Sequence, residues 1–272
     1  MIRLLDGTYV ASGDNASPTG ADITTPLKVI PANGYSYTGT LIDVAASGYP
    51  SQYAILTTDG LWAWGSRGHL LPTGSTSSSQ FQKITIPAQI IPSDVNVIDA
   101  GEEVMAMLMN NGEVYVVSSR SGSHNGGGTT TLSSNFTKVM LDATTPLTGV
   151  TDIQVSTNGI FAYNASTNKF YTWGIQTYLG DASARATRSF ATEMVNPLPT
   201  GVKAKQIELS TDETTGTSYY VLGTDQKIYV LGANTEGQLG LGNNTAALSW
   251  GIVKNQAGTA DLTGVLLRMD QP

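Results

Sequence analysis

Two histidines, His69 and His124, and no cysteine are available in this chain for imidazole or thiolate chemistry. Without cysteine there is no disulfide, no thiolate zinc site and no cysteine nucleophile. A serine-type triad needs a base held by a carboxylate beside its nucleophile, and nothing in the sequence sets such a group around either histidine. The two stand in separate long loops, so both are expected to be loop residues without a chemical role. A metal held by one histidine and scattered carboxylates would be weak. Gly13-Asp14-Asn15 with Asp22 is spaced somewhat like a calcium loop, but lacks the alternating oxygen ligands and the terminal glutamate. Gly126-Gly127-Gly128 lacks the lysine and the following helix of a phosphate-cradling loop. The sequence therefore predicts no catalytic residue, no metal site and no cofactor.

Groups suited to binding are easier to find. Glu102-Glu103 and Asp212-Glu213 are paired carboxylates on turns. Such a pair does acid–base work only if its surroundings push the two pKa values apart. Adjacent turn residues point apart, so solvated pairs able to attract a basic partner are expected. Trp62, Trp64, Tyr115, Tyr171, Trp173 and Tyr229 recur at fixed strand positions and read as packing residues. Tyr35, Tyr37, Tyr49 and Trp250 fall off that register, in loops or connections. Exposed Tyr and Trp there would contribute large contact area at little rotamer cost.

The elements that position these groups repeat. Five apolar-alternating strands run into a glycine or small residue, closing at positions 13, 65, 118, 174 and 232, at intervals of 52, 53, 56 and 58 residues. Such a period marks solenoids, propellers or arrays. In the third unit, Val95 to Ala100 is β-branched and Gly101-Glu102-Glu103 turns the chain. Val104 to Met109 follows, Asn110-Asn111-Gly112 turns again and Glu113 to Val117 returns. Asn-Gly between apolar runs is a strong hairpin signal, and Asp6-Gly7 and Asp59-Gly60 repeat it. A fourth strand follows, such as Phe136 to Met140 or Thr25 to Ile30. Four short antiparallel strands in about 55 residues make one propeller blade. The stretch 182–188, the best rival for a helix, is short and polar and reads as a loop.

The chain starts in mid-unit, with residues 1–5 in the place of a second strand. It stops at residues 264–269, in the place of a first strand. The expectation is a single all-β domain, a propeller of five four-stranded blades with one shared between the termini. Its blades span about 1–40 with 262–272, 41–95, 96–150, 151–202 and 203–261. A portion of a seven-bladed ring is the competing reading. Sharing a blade would remove exposed strand edges.

Residues Asp225 to Gly232, continuing through Asn234 into Gly237-Gln238-Leu239-Gly240-Leu241-Gly242, resemble the signature of the regulator-of-chromosome-condensation repeat family. Trp64-Gly65 and Trp173-Gly174 keep the family's Trp-Gly pair; Ser12-Gly13 lacks the tryptophan and Val117-Ser118 lacks both. The resemblance covers the whole chain in period and about a third of it in motif. It implies a β-propeller, usually of seven blades.

Charged residues are 13% of the chain, against roughly 25% in typical soluble domains. Net charge is −7, with no basic stripe to neutralise phosphates, which argues against nucleic acid as a partner. No segment is apolar enough for membrane insertion. The favoured reading is a non-enzymatic recognition or scaffold module for a protein or glycan. Abundant Ser, Thr, Gly and Asn place it in an extracellular, cell-surface or virion setting, as one piece of a larger assembly. Its binding residues are expected in the turns after the first strands: Tyr49 and Gln52 in 48–52, Glu102 and Glu103, Asn158 in Thr157-Asn158-Gly159, and Asp212 and Glu213 in 211–216. Tyr35 and Tyr37 join them as off-register aromatics. The alternatives are a soluble regulator, either a small-GTPase exchange factor or an enzyme inhibitor, and a lyase or hydrolase working in a central channel.

Overall fold

The structure is a computed structural model and describes residues 2–3, 9–13, 23–28, 37–48, 51–66, 70, 77–119, 124–130, 133–212 and 216–265. It divides into two compact units, residues 1–121 with 131–138, and residues 122–130 with 139–272.

The first unit holds three antiparallel sheets. One is three-stranded: β1 (Ile2–Arg3), β2 (Tyr9–Gly13) and β3 (Ile23–Lys28). The next is β4 (Leu41–Gly48), β5 (Ser51–Thr57), β6 (Gly60–Ser66) and β7 (Ser77–Ile84). The third is β8 (Val95–Gly101), β9 (Val104–Met109), β10 (Val114–Ser118) and β11 (Ser133–Lys138). The second unit holds two four-stranded sheets. Its first is β12 (Asp152–Val155), β13 (Gly159–Asn164), β14 (Lys169–Thr177) and β15 (Ala186–Glu193). Its second is β16 (Ala204–Asp212), β17 (Gly216–Gly223), β18 (Ile228–Gly232) and β19 (Ala247–Ile252). Each sheet is a meander of neighbouring strands in chain order. Residues 266–272, expected to supply the shared fifth blade, lie outside the described residues.

In β9, β10 and β13 the middle strands are buried on both faces, which is why 104–109, 114–118 and 159–164 read as continuous apolar runs. In the first unit, Ala54, Leu56 and Leu61 pack against Met105, Met107, Tyr115 and Val117. The first strands of those two sheets are tied as well, because the Ile98 N–H donates to Asp43 Oδ2 at 2.9 Å. In the second unit, Phe161, Tyr163 and Phe170 pack against Ile207, Tyr219, Val221 and Leu231. Phe161 meets Tyr219 edge-on at 5.1 Å.

All five sheets share one irregularity. The register between the last two strands shifts at the rung of the closing small residue, at Ala11/Gly13, Ala63/Gly65, Val116/Ser118, Thr172/Gly174 and Val230/Gly232. Two local expectations are corrected. Residues 186–193, partly read as a loop, form β15. Trp250, placed in a connection, stands in β19, donates its Nε1–H to Val195 O at 2.7 Å and packs toward Phe170 and Tyr219.

Candidate functional site: the loop ends of the sheets

In a four-stranded meander the first-to-second turn and the third-to-fourth connection leave from the same end. That end is here the loop end, and the opposite one the hairpin end. At the loop end the third strand is locked onto the first turn by a repeated bond. Ser119 N–H donates to Glu103 O at 3.0 Å, Ile175 N–H to Asn158 O at 2.7 Å and Ala233 N–H to Thr217 O at 2.9 Å. The preceding residue is Gly174 (φ +114) or Gly232 (φ +110) in the last two sheets, and a Cβ there would overlap the carbonyl oxygen that accepts the bond. That carbonyl can sit over the strand because glycine has no side chain to exclude it. Ser118 closes the same bond in the third sheet without glycine.

In the second unit this end carries a polar network. Asn158 Nδ2 donates to Gln176 Oε1 at 3.4 Å, and Arg185 Nη1 approaches the same oxygen at 3.5 Å. Arg185 lies against Gly216, where a Cβ would sit 3.2 Å from its Nη1. Beneath it, Arg188 Nη1 donates to Thr177 O at 2.7 Å and Thr177 Oγ1 at 2.8 Å. Burial lowers the pKa of Arg188. Tyr219, fully buried, shares a 2.8 Å hydrogen bond with Thr172 Oγ1, and burial pushes its phenol up to about 12. The long loop after Gly232 is organised by the buried Asn234, whose Nδ2 donates to Asn243 O at 2.7 Å and Thr245 O at 3.1 Å. Its Oδ1 accepts from Leu239 N–H at 2.9 Å, which accounts for the asparagine ahead of the Gly-Gln-Leu-Gly run.

The expected site residues divide by position. Glu102 and Glu103 form the turn of the third sheet, with Glu103 at φ +57. Asp212 ends β16, paired with Gly216 at the loop end near Arg185. Asn158 is at this end too, with its side chain buried at 0% exposure, and Gln52 begins the second strand of its sheet at 3%. Tyr37 stands apart. It leads into β4 beside the hairpin end, where Thr57 Oγ1 donates to Thr38 O and Thr58 N–H to Thr40 O. Tyr35, Tyr49 and Glu213, with His69, lie outside the described residues. The structure thus brings Asn158 and Asp212 to one end of the second unit.

His124 is buried, and its backbone carbonyl accepts the Trp173 Nε1–H at 3.0 Å. The recurring aromatics pack as expected: Trp64 stacks on Tyr53 at 4.6 Å, and Trp64 and Trp173 are buried. Among the described residues no three His, Asp or Glu side chains gather as metal ligands. An open groove of about 430 Å³ lies at the hairpin end of the second sheet, lined by Asp59, Lys83, Ile84, Ile86, Pro87 and Ile90. Sequence reasoning missed Gln176, Arg185 and Arg188; the signal was the Arg-Ala-Thr-Arg spacing in 185–188.

No family model matches the chain, and no curated protein matches it in sequence. The fold does match solved structures. Human WBSCR16 superposes with a TM-score of 0.64 at 18% identity, covering 91% of this chain and 61% of that one. Prp20p from Saccharomyces cerevisiae, described with its binding to Gsp1p and histones, gives 0.65 at 14% identity over 94% and 58%. Yeast RCC1 (Prp20) bound to Kap60 gives 0.65 at 15% identity over 92% and 60%. The chain therefore spans about three fifths of the length of these structures. The likeness read from the repeat holds in three dimensions: this is an all-β fold of the propeller class, and four of its antiparallel sheets are four-stranded. Among the described residues no helix is long and apolar enough to cross a membrane.

Proposed function

We propose that this chain is a non-enzymatic recognition module that binds a protein partner through the loop ends of its sheets. One observation carries the reading. The repeated bond from the end of the third strand to the start of the first hairpin holds both connections side by side in the sheets of β8–β11, β12–β15 and β16–β19, so variable loops rest on a fixed frame. The fold likeness to Prp20p, described with its binding to Gsp1p and histones, supports a protein over a glycan as partner. The same likeness favours a second reading, a soluble regulator of a small GTPase. Low charge, absent cysteine and abundant Ser, Thr, Gly and Asn support an extracellular, cell-surface or virion assembly as the setting.

The test is a footprint. The partner captured from the native source, once identified and purified, is expected to slow hydrogen exchange at residues 156–159 and 176–186 of the second unit. The hairpins at 58–60, 110–112 and 165–168 should exchange as before. Protection confined to the hairpins would overturn the reading. A small GTPase whose nucleotide release quickens on binding would establish the second reading.

A further inference from the structure

Arg188 is a half-buried cation whose protein partners occupy only one corner of its guanidinium. Nη1 donates to Thr177 O, to Thr177 Oγ1 and, at 3.3 Å, to Ala186 O. Among the described residues, Nε and Nη2 have no hydrogen-bond partner and no carboxylate lies within ion-pair distance. Three N–H donors of an always-charged group thus remain, and burial already weakens their hydration.

The free edge has a specific shape. Nε and Nη2 present two parallel N–H bonds, the fork that takes both oxygens of a carboxylate. Asp181, whose charge Arg188 feels, has its carboxylate engaged instead with the N–H and hydroxyl of Ser183 in its own turn. Elsewhere in the same unit some cations are ion-paired: Lys169 pairs with Glu193 at 2.8 Å, and Lys254 with Asp261 at 2.7 Å. Arg188 is also held in place, because Thr177 supplies two acceptors at the register shift between β14 and β15. A cation fixed in advance loses little side-chain freedom on binding, and arginine is enriched among residues that dominate interfaces.

We infer that Arg188 receives an Asp or Glu side chain of the protein partner at the loop end of the second unit, Arg185 flanking it. This rests on the proposed function and narrows it. The surface was expected to favour a basic partner through its acidic turns; at this position the chemistry asks for an acidic one.

The probe is a random peptide display library panned on the intact chain. Synthetic winners are titrated calorimetrically against the wild type, Arg188→Lys and Arg188→Gln, and each is compared with its own Glu→Gln or Asp→Asn counterpart. The expected winners are acidic and lose about ten-fold or more in affinity when either the peptide carboxylate or the Arg188 fork is removed. Removing both should cost little more than removing one. Arg188→Lys keeps the charge but not the fork, so it should also weaken binding. The altered peptides test the wild-type protein, so the result stands even if a variant fails to fold. Neutral winners, or acidic winners indifferent to Arg188, would overturn the inference. If such winners still protect 156–159 and 176–186 from exchange, the loop-end reading survives; winners that protect only the hairpins sink both.

Discussion

Among the described residues, five other than glycine take positive φ, and two of them hold the second-to-third hairpins of the second unit, Asn168 (φ +57) and Gln226 (φ +63). They stand where Gly112 (φ +80) serves in the third sheet. An L-residue in this region costs about 1–2 kcal/mol, less when its side chain bonds locally. Asn168 is compensated: Oδ1 accepts from Tyr163 Oη at 2.7 Å and Nδ2 donates to Val202 O at 3.1 Å. Gln226 has no such side-chain bond among the described residues. Gln226→Gly is therefore expected to raise stability by about 0.5 kcal/mol, the relief being partly cancelled by glycine's freer unfolded state. Asn168→Gly should lower it by about 1–2 kcal/mol. Urea titrations of the two variants measure both, and equal effects of the same sign would refute the distinction.

At the scale of strands, the fold was readable because period two and turn chemistry agree. The third unit shows how well: the strands expected at 95–100, 104–109 and 113–117 are observed as β8, β9 and β10 within a residue or so. Position in a turn was legible; side-chain direction was not. Gln52 and Asn158 lie in or beside the expected turns, but the first rungs of the sheet turn them inward. Trp250 was misread because its strand follows a long loop whose length differs from unit to unit. A lead-in also passed unnoticed. Thr148-Gly149-Val150 and Thr200-Gly201-Val202 each precede a first strand, with the glycine at positive φ, and Thr263-Gly264-Val265 repeats the triplet. Strand ends also yield the sharpest mutational expectation. Gly232→Ala would drive a Cβ into Thr217 O at a backbone angle unfavourable to any side chain. A loss of about 3 kcal/mol or more is expected, read as a lowered midpoint in urea. Gly201→Ala meets open space at φ +85 and should cost no more than about 1–2 kcal/mol. Equal losses at the two sites would argue that the bond at the strand ends is dispensable.

For the chain as a whole, charge and tyrosine burial set the response to pH. The chain carries a net −7 and 12 tyrosines. Burial raises the phenol pKa of Tyr171, Tyr178, Tyr220 and, to about 12, Tyr219. In this window the unfolded chain has released protons that the folded one retains, so stability falls as pH rises. Tyr219 alone contributes a slope of about 1.4 kcal/mol per pH unit between its ordinary value and 12. Chemical denaturation from pH 8 upward should show this loss beginning near pH 10, and Tyr219→Phe should flatten it at the expense of the Thr172 bond. A variant profile parallel to the wild type would show that this phenol ionises freely in the fold.

The register shift between the last two strands of each sheet bears on how such a chain keeps to itself in solution. Each last strand bends at that rung, and in β15 and β19 some carbonyls are already taken, Ser189 O by Gly128 N–H and Leu248 O by Ala182 N–H, so these strands offer no straight open row to another copy. Proteins often guard such rims with lysine, whereas only 13% of this sequence is charged. Here backbone shape takes over much of the protection against edge-to-edge aggregation. That leaves the neutral Ser-, Thr- and Asn-rich exterior free to vary without inviting amyloid-like stacking.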